Sequence, residues 1–273
     1  MFRPISFAGK FFKFYLLFPS HPAKIRIENM LGRFLFSKGI AIKDEEGVIF
    51  KLDANDWITR TMIEQGCYEP ASIDLGKKIV EAGGVFVDIG ANFGLYSCIL
   101  GVKNNSLKIY SIEPNYKVLP RLAANITGNH LKEQAHIINA AVSEKSQLVF
   151  LELPEKNNLG TTVTSAINKS SLSILSCTLE YILEANHLSQ IDILKIDIEG
   201  NEFTVLKDFP FDKYVIKNII LEFNHLSGVS FLQLQQFFES KGFIFFTITG
   251  EKIETETKDI PENNIWIINK DFI

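Results

Sequence analysis

The run Lys195-Ile196-Asp197-Ile198-Glu199-Gly200 sets three ionisable residues at alternate positions near the end of a largely apolar stretch. On a strand, alternate residues share a face. Lys195, Asp197 and Glu199 are therefore expected to point together, while Leu194, Ile196 and Ile198 fill the opposite face. Charges at such a place are costly unless they pair with one another or with a ligand. A carboxylate here can take a proton from an attacking hydroxyl, and a lysine beside it can hold that carboxylate ionised or orient an acceptor oxygen. Asp197 is the first candidate for the base and Glu199 the second. His225 is the third, in Leu221-Glu222-Phe223-Asn224-His225, where Glu222 and His225 could face the same cleft. A Lys–carboxylate pair that only supports structure is the alternative, as is a His225 that merely sits in a loop.

A second group suits a nucleoside. In Asp88-Ile89-Gly90-Ala91-Asn92-Phe93-Gly94 the two glycines let the chain turn sharply and approach a ligand closely. The helix that follows offers free N–H groups. The spacing is GxxxG, not the GxGxxG of a dinucleotide fingerprint. Glu113 follows Gly90 by 23 residues and ends the next apolar run. An acid at that point can accept hydrogen bonds from both hydroxyls of a ribose.

These residues need elements to place them. The strands expected are 85–90, 108–114, 135–142, 146–153, 191–200 and 218–224, with helices near 94–103, 116–127, 179–187, 201–208 and 231–242. Strands that alternate with helices form a parallel sheet covered on both faces. The last two strands, 243–250 and 264–270, have no convincing helix between them and are expected to pair antiparallel. Residues 155–175 are rich in Asn, Ser and Thr and read as a loop or lid. Upstream, 24–42 reads as a helix broken near Gly39, 47–53 as a short strand, and 58–82 as helical stretches interrupted by Pro70. In open α/β sheets ligands bind beyond the carboxyl ends of the strands, where these groups fall.

The whole set of segments resembles the FkbM-type family of S-adenosylmethionine (SAM)-dependent methyltransferases. The similarity covers roughly 60–225: Gly66-Cys67-Tyr68-Glu69-Pro70, VFVDIGANFGLYS, IYSIEPN, Asn125 with the AAVSE stretch, Ser176-Cys177-Thr178-Leu179-Glu180, LKIDIEGNE and IILEFN. The resemblance implies a class I, Rossmann-like methyltransferase fold: α/β, a seven-stranded mostly parallel sheet with an antiparallel last strand and helices on both faces. It implies SAM as cofactor, with Asp88, Gly90, Asn92 and Gly94 at its methionine part, Glu113 at its ribose and Asn115 in the same set. It further implies O-methylation of a hydroxyl on a sugar, glycan or similar metabolite. Where the family often reads Leu-Asp-Asp, this chain has Leu179-Glu180-Tyr181, so no catalytic weight rests there. The [ND]-P-P-[YF] block used to methylate exocyclic amines of nucleobases is absent; Asp197-Ile198-Glu199-Gly200 stands in its place. A nicotinamide-dependent dehydrogenase would need GxGxxG. A non-catalytic SAM-binding protein or adaptor on the same scaffold remains a competing reading.

Composition bounds the rest. Cys67, Cys98 and Cys177 are odd in number and lack CxxC spacing, and the five histidines lack ligand spacing, so neither a disulfide framework nor a metal site is expected. The location expected is cytoplasmic. The net charge of −4 hides a division: eight Lys/Arg and one acid, Glu28, lie within 1–43, a local +7 that leaves −11 for the remainder. Uniform basicity is thus absent and nucleic acid is not expected as a partner. Phe7, Phe11, Phe14 and Phe18 follow helical 4-3-4 spacing, flanked by Lys10 and Lys13 and stopped by Pro19 and Pro22. This helix either packs its Phe stripe on the body or rests residues 1–22 on an anionic membrane surface. We divide the chain into a basic helical extension, 1–45, and a methyltransferase domain, 46–273.

Overall fold

The runs richest in Ile and Val form the centre of one sheet, as branched side chains favour on a pleated surface. A computed structural model describes residues 1–152, 163–165, 172–223, 228–254 and 263–273. The first part of the chain forms β1 (Arg3–Pro4), α1 (Phe7–Leu16), α2 (Lys24–Leu35), β2 (Ile40–Lys43), β3 (Ile49–Leu52), α3 (Trp57–Gln65) and α4 (Pro70–Ile79). Then come β4 (Gly84–Ile89), α5 (Leu95–Lys103), β5 (Leu107–Ile112), α6 (Leu119–Gly128), β6 (Ala135–Ile138), β7 (Ala141–Val142), β8 (Gln147–Glu152), β9 (Val163–Ser165) and β10 (Ser173–Cys177). The last part forms α7 (Leu179–Ala185), β11 (Gln190–Ile196), α8 (Glu202–Leu206), β12 (Val215–Glu222), α9 (Phe231–Ser240), β13 (Phe243–Thr247) and β14 (Asn264–Asn269).

The central sheet has seven strands in the order β13-β14-β12-β11-β4-β5-β6. β14 runs antiparallel to both β12 and β13, and the other pairs are parallel. This is the class I methyltransferase arrangement expected from the sequence, with the antiparallel strand inserted before the edge. Alternation along each strand divides the core in two. Phe86, Ile109 and Ile193 join α4, α5 and α6 on one face, while Val87, Ile112 and Leu194 join α7, α8 and α9 on the other. Side-chain caps start several helices: Thr178 accepts from Tyr181 N–H, and Ser230 and Gln233 form a reciprocal capping box.

Four segments differ from expectation. Residues 24–42 hold a helix only to Leu35, because the chain from Ile40 pairs with β3. The single strand expected over 135–142 breaks at Asn139-Ala140: β6 joins the central sheet and β7 pairs with β10 in a four-stranded sheet, β7-β10-β8-β9. Residues 173–175, read as loop, belong to β10, whose antiparallel partner is β8. Most of 155–175 lies outside the described residues. Finally, β11 stops at Ile196 instead of running to 200. Asp197 still donates its N–H to the Ile89 carbonyl, but Glu199 and Gly200 both take positive φ and swing the chain into α8. The Glu202 carboxylate accepts from the N–H groups of Ile198 and Gly200 and fixes that turn.

The N-terminal 45 residues share a core with the rest. Phe2, Phe12, Leu16 and Phe36 join the same buried cluster as Phe50, Phe86 and Ile99. The β2–β3 hairpin spans the boundary drawn at 45/46.

Candidate active site

The carboxyl ends of β4, β5, β11 and β12 border one cleft that opens to solvent. β4, β5 and β11 lie side by side, with Lys195 in register with Asp88 and Asp88 with Ser111. These three polar side chains share the face that carries Phe86, Ile109 and Ile193 deeper in the sheet. The polar groups are therefore confined to the strand ends, as expected for Lys195 and Asp197.

Asp88 is buried and already satisfied. Ser97 on α5 donates to it at 2.6 Å and lies 2.7 Å from the Ser111 hydroxyl. Burial pushes its carboxyl above the usual range, against the pull of Lys195. Gly90 has φ +81, and a Cβ there would run into the Asp197 carbonyl oxygen. Glycine at this position lets β4 and β11 approach at the floor of the cleft. Gly94 does not border the cleft. With φ +86 it starts α5, and a Cβ there would sit 2.7 Å from Leu122 of α6. Its requirement is helix packing.

Glu113 is buried and its two carboxylate oxygens are separately held. Asn92 donates its backbone N–H to one and Asn115 to the other, both at 2.8 Å. Asn92 has φ +50, which turns that N–H inward. Each oxygen keeps a further lone pair for a hydroxyl donor. Burial raises the Glu113 pKa to about 7, against the two backbone bonds. Asn115 is itself buried, and its side chain accepts from Lys117 N–H behind Glu113. It braces the carboxylate and does not border the cleft.

The other half of the cleft is charged. Lys195 Nζ lies 2.9 Å from Asp197 Oδ2 and 4.8 Å from the centre of the Tyr96 ring. Burial disfavours its ammonium, but Asp197, Glu69, Tyr96 and Asp88 together hold its pKa well above the ordinary value. For Asp197, burial acts upward, and Lys195 with a hydrogen bond from Glu222 more than offsets it. Asp197 is therefore an ionised carboxylate below the usual range. Its partner Glu222, at the end of β12, is pushed up to about 9 by burial and by Asp197. Of the two, Asp197 favours the ionised form and Glu222 the protonated one. Glu199 borders the cleft from the turn, where its φ of +58 has removed it from the strand alternation. His225 lies outside the described residues.

Tyr68, Glu69 and Tyr96 also border the cleft and were not among the candidates. Glu69 begins α4 in a left-handed conformation, and Tyr96 donates its hydroxyl to the Glu69 carboxylate. Tyr68 meets Trp57 edge to face at 6.1 Å and forms an aromatic wall with it. The sequence signal was the Gly66–Pro70 stretch: an acid directly before a helix-starting proline sits where a helix begins.

Among the described residues, the lining thus carries Glu69, Asp88, Glu113, Asp197, Glu199 and Glu222 against one ammonium, Lys195. Even with Glu222 protonated, the cleft is acidic. SAM, with a sulfonium, an ammonium and one carboxylate, is a net cation with a ribose diol. The acidic lining and the doubly held Glu113 fit that chemistry.

Comparison with known proteins agrees in kind. The family described as "Methyltransferase FkbM domain" matches residues 88–245. Methyltransferase sdnD of Sordaria araneosa is 28% identical over 237 residues, covering 76% of this chain and 87% of that protein. The hexuronic acid methyltransferase AglP of Haloferax volcanii is 25% identical over 142 residues, covering 52% of this chain and 56% of that protein. Among solved structures, M. capricolum TrmK in complex with S-adenosyl-homocysteine superposes with a TM-score of 0.43 at 18% identity, covering 73% of this chain and 67% of that one.

Proposed function

The chain belongs to the FkbM methyltransferase family, whose methyl donor is SAM, and we propose that it transfers the methyl group to a hydroxyl oxygen of a sugar, glycan or similar polyhydroxylated metabolite. The observation that carries this reading is Asp197, an ionised carboxylate in a cleft that also presents the Trp57–Tyr68 aromatic wall. A sugar ring has apolar C–H faces that lie on aromatic side chains and hydroxyls that donate to carboxylates. The likeness to AglP, which acts on a hexuronic acid, supports the same acceptor class.

Bound SAM would supply an electrophilic methyl group on its sulfonium and would leave as S-adenosylhomocysteine as the methyl C–S bond breaks. Glu113 would accept hydrogen bonds from the two ribose hydroxyls, and Gly90 lets β4 and β11 close at the floor of the cleft. Asp197 accepts a hydrogen bond from the acceptor hydroxyl, aligns its lone pair, and takes its proton as the new C–O bond forms. Lys195 keeps Asp197 ionised. Glu222 donates to Asp197 and prevents two adjacent carboxylates from both carrying charge.

The test is incubation of the full chain with methyl-labelled SAM and a panel of monosaccharides, uronic acids, oligosaccharides and amine acceptors. Label is expected in ether linkage on a hydroxyl of one of the saccharides. Label on amines alone overturns the O-acceptor reading.

A further inference from the structure

The Phe stripe of α1 faces water. Phe7, Phe11, Phe14 and Phe18 are 88%, 48%, 65% and 49% exposed, and the Phe14 and Phe18 rings lie 6.3 Å apart. The helix packs on the body through its opposite side, where Gly9, Phe12 and Leu16 are buried. The expected packing of the Phe stripe on the body is therefore not what the structure has: the helix is anchored through its other side and presents the stripe as an aromatic ridge. On α2, Ile25 and Phe34 are also exposed, Phe34 at 84%. Large apolar side chains gathered in this way mark an interaction surface.

Charge identifies what fits it. Lys10, Arg26, Arg33 and Lys38 are exposed in the same segment. Its single acid, Glu28, is buried and paired internally, 3.7 Å from Lys24 and 3.4 Å from Arg60. Arg3 is engaged by Glu45. Over residues 1–43 the outward charge is thus wholly positive, beside a body of net −11 that an anionic partner would repel. Aromatic residues on the outward face of a short surface helix, flanked by unopposed Lys and Arg, match a bilayer interface: rings enter the acyl boundary while cations meet anionic headgroups.

We propose that α1 and α2 form a docking surface for an anionic lipid bilayer, with the Phe7–Phe18 ridge inserted and Lys10, Arg26 and Arg33 at the headgroups. The docking is peripheral, since among the described residues no helix is long and apolar enough to cross a membrane. It does not depend on which acceptor is methylated.

The test is co-sedimentation of the full chain with vesicles of phosphatidylcholine alone and of equal parts phosphatidylcholine and phosphatidylglycerol. Wild type is expected to sediment with the anionic vesicles, to bind the neutral ones far less, and to be released by salt. The triple variant K10Q/R26Q/R33Q is expected to lose about 100-fold in affinity for anionic vesicles, roughly fivefold per basic residue. The variant F7S/F11S/F14S is expected to lose binding to both, with SAM affinity by calorimetry unchanged in each variant. Failure of wild type to bind anionic vesicles overturns the proposal. So does a concentration-dependent dimer that the Phe variant abolishes, because the ridge would then belong to a second copy of the chain. If the Phe variant proves insoluble, the charge variant still decides: unaltered vesicle binding overturns the proposal.

Discussion

Asp197 has too low a pKa to be a strong base, yet the proposed reaction does not need one. A hydroxyl oxygen becomes strongly acidic as its bond to the methyl carbon forms, so a depressed carboxylate can take the proton late. Asp197→Asn preserves shape but cannot accept that proton. Its kcat is expected to fall about 10²- to 10⁴-fold, the usual worth of a positioned base, with SAM affinity held within about threefold. Initial rates and calorimetry check both, and an unchanged kcat removes Asp197 from the role. Glu222 is expected to set the alkaline limit of the proposed reaction. Below about pH 9 it is protonated and donates to Asp197; above it the two carboxylates repel, so the rate falls through about pH 9. Glu222→Gln cannot ionise and is expected to lose that limb of the pH–rate profile. Glu113 is expected to set the acid side. Its pKa of about 7 before SAM binds lies above the ordinary 4.5, and ribose hydroxyls favour the ionised form. SAM affinity should weaken as pH falls below about 7, and Glu113→Gln should flatten that dependence in a titration series. The sign for stability is opposite: this group's contribution is present below pH 4.5 and is lost as pH rises through about 7. Asp197, Lys195, Glu113 and Gly90 were legible because strand periodicity and turn chemistry single them out. Tyr68, Glu69 and Tyr96 were not, because an aromatic residue inside a helix, or an acid before a proline, reads as packing or capping until the elements are placed.

At the scale of elements, the strand-to-helix turns decide what the cleft can hold. Gly90 is the tightest: positive φ coincides with a close approach to the Asp197 backbone, which cannot retreat because Asp197 N–H is bonded to Ile89. Gly94 shares the positive φ, but the atom in its way is the methyl end of Leu122. Gly90→Ala is therefore expected to lower stability by at least about 2 kcal/mol, and Gly94→Ala by about 1 kcal/mol. Urea unfolding measures both, and the reverse order would show that the β4–β11 junction yields more readily than α6. The alternation of strands and helices from Val85 onward was readable because each strand is an apolar run closed by turn residues. The end of β11 was not. The alternation of Lys195, Asp197 and Glu199 continues the strand pattern unbroken, and the turn that interrupts it depends on Glu202, a buried carboxylate four residues beyond Ile198. Likewise Ile40–Lys43 carries no signal that separates a helix end from a strand. Its pairing with Ile49–Leu52 settles it.

For the whole molecule, the division of charge at about residue 43 does not coincide with a division of the core. The N-terminal segment closes the body on the α5 side: Phe2 donates its N–H to the Gly66 carbonyl and meets Phe50 edge to face, and Phe12 packs on Phe36. Removing residues 1–22 therefore takes Phe2, Phe12 and Leu16 from a shared core. At about 1.5–3 kcal/mol for each buried side chain, the loss approaches the 5–15 kcal/mol that typically separates folded from unfolded domains. Loss of the same segment also uncovers Ile40, Ile42 and Phe50, which are buried in the intact chain. The truncated protein is expected to be insoluble or to melt far below the full chain. Phe7→Ser with Phe14→Ser, on the outward side of the same helix, is expected to change stability by no more than about 0.5 kcal/mol per site, since Phe and Ser have similar helix propensity and neither ring is buried. Thermal melts of the two proteins separate the roles of the helix faces. A truncated body that melts with the full chain would show that α1 contributes nothing to the core, and a destabilised double variant would show that the ridge packs on the body.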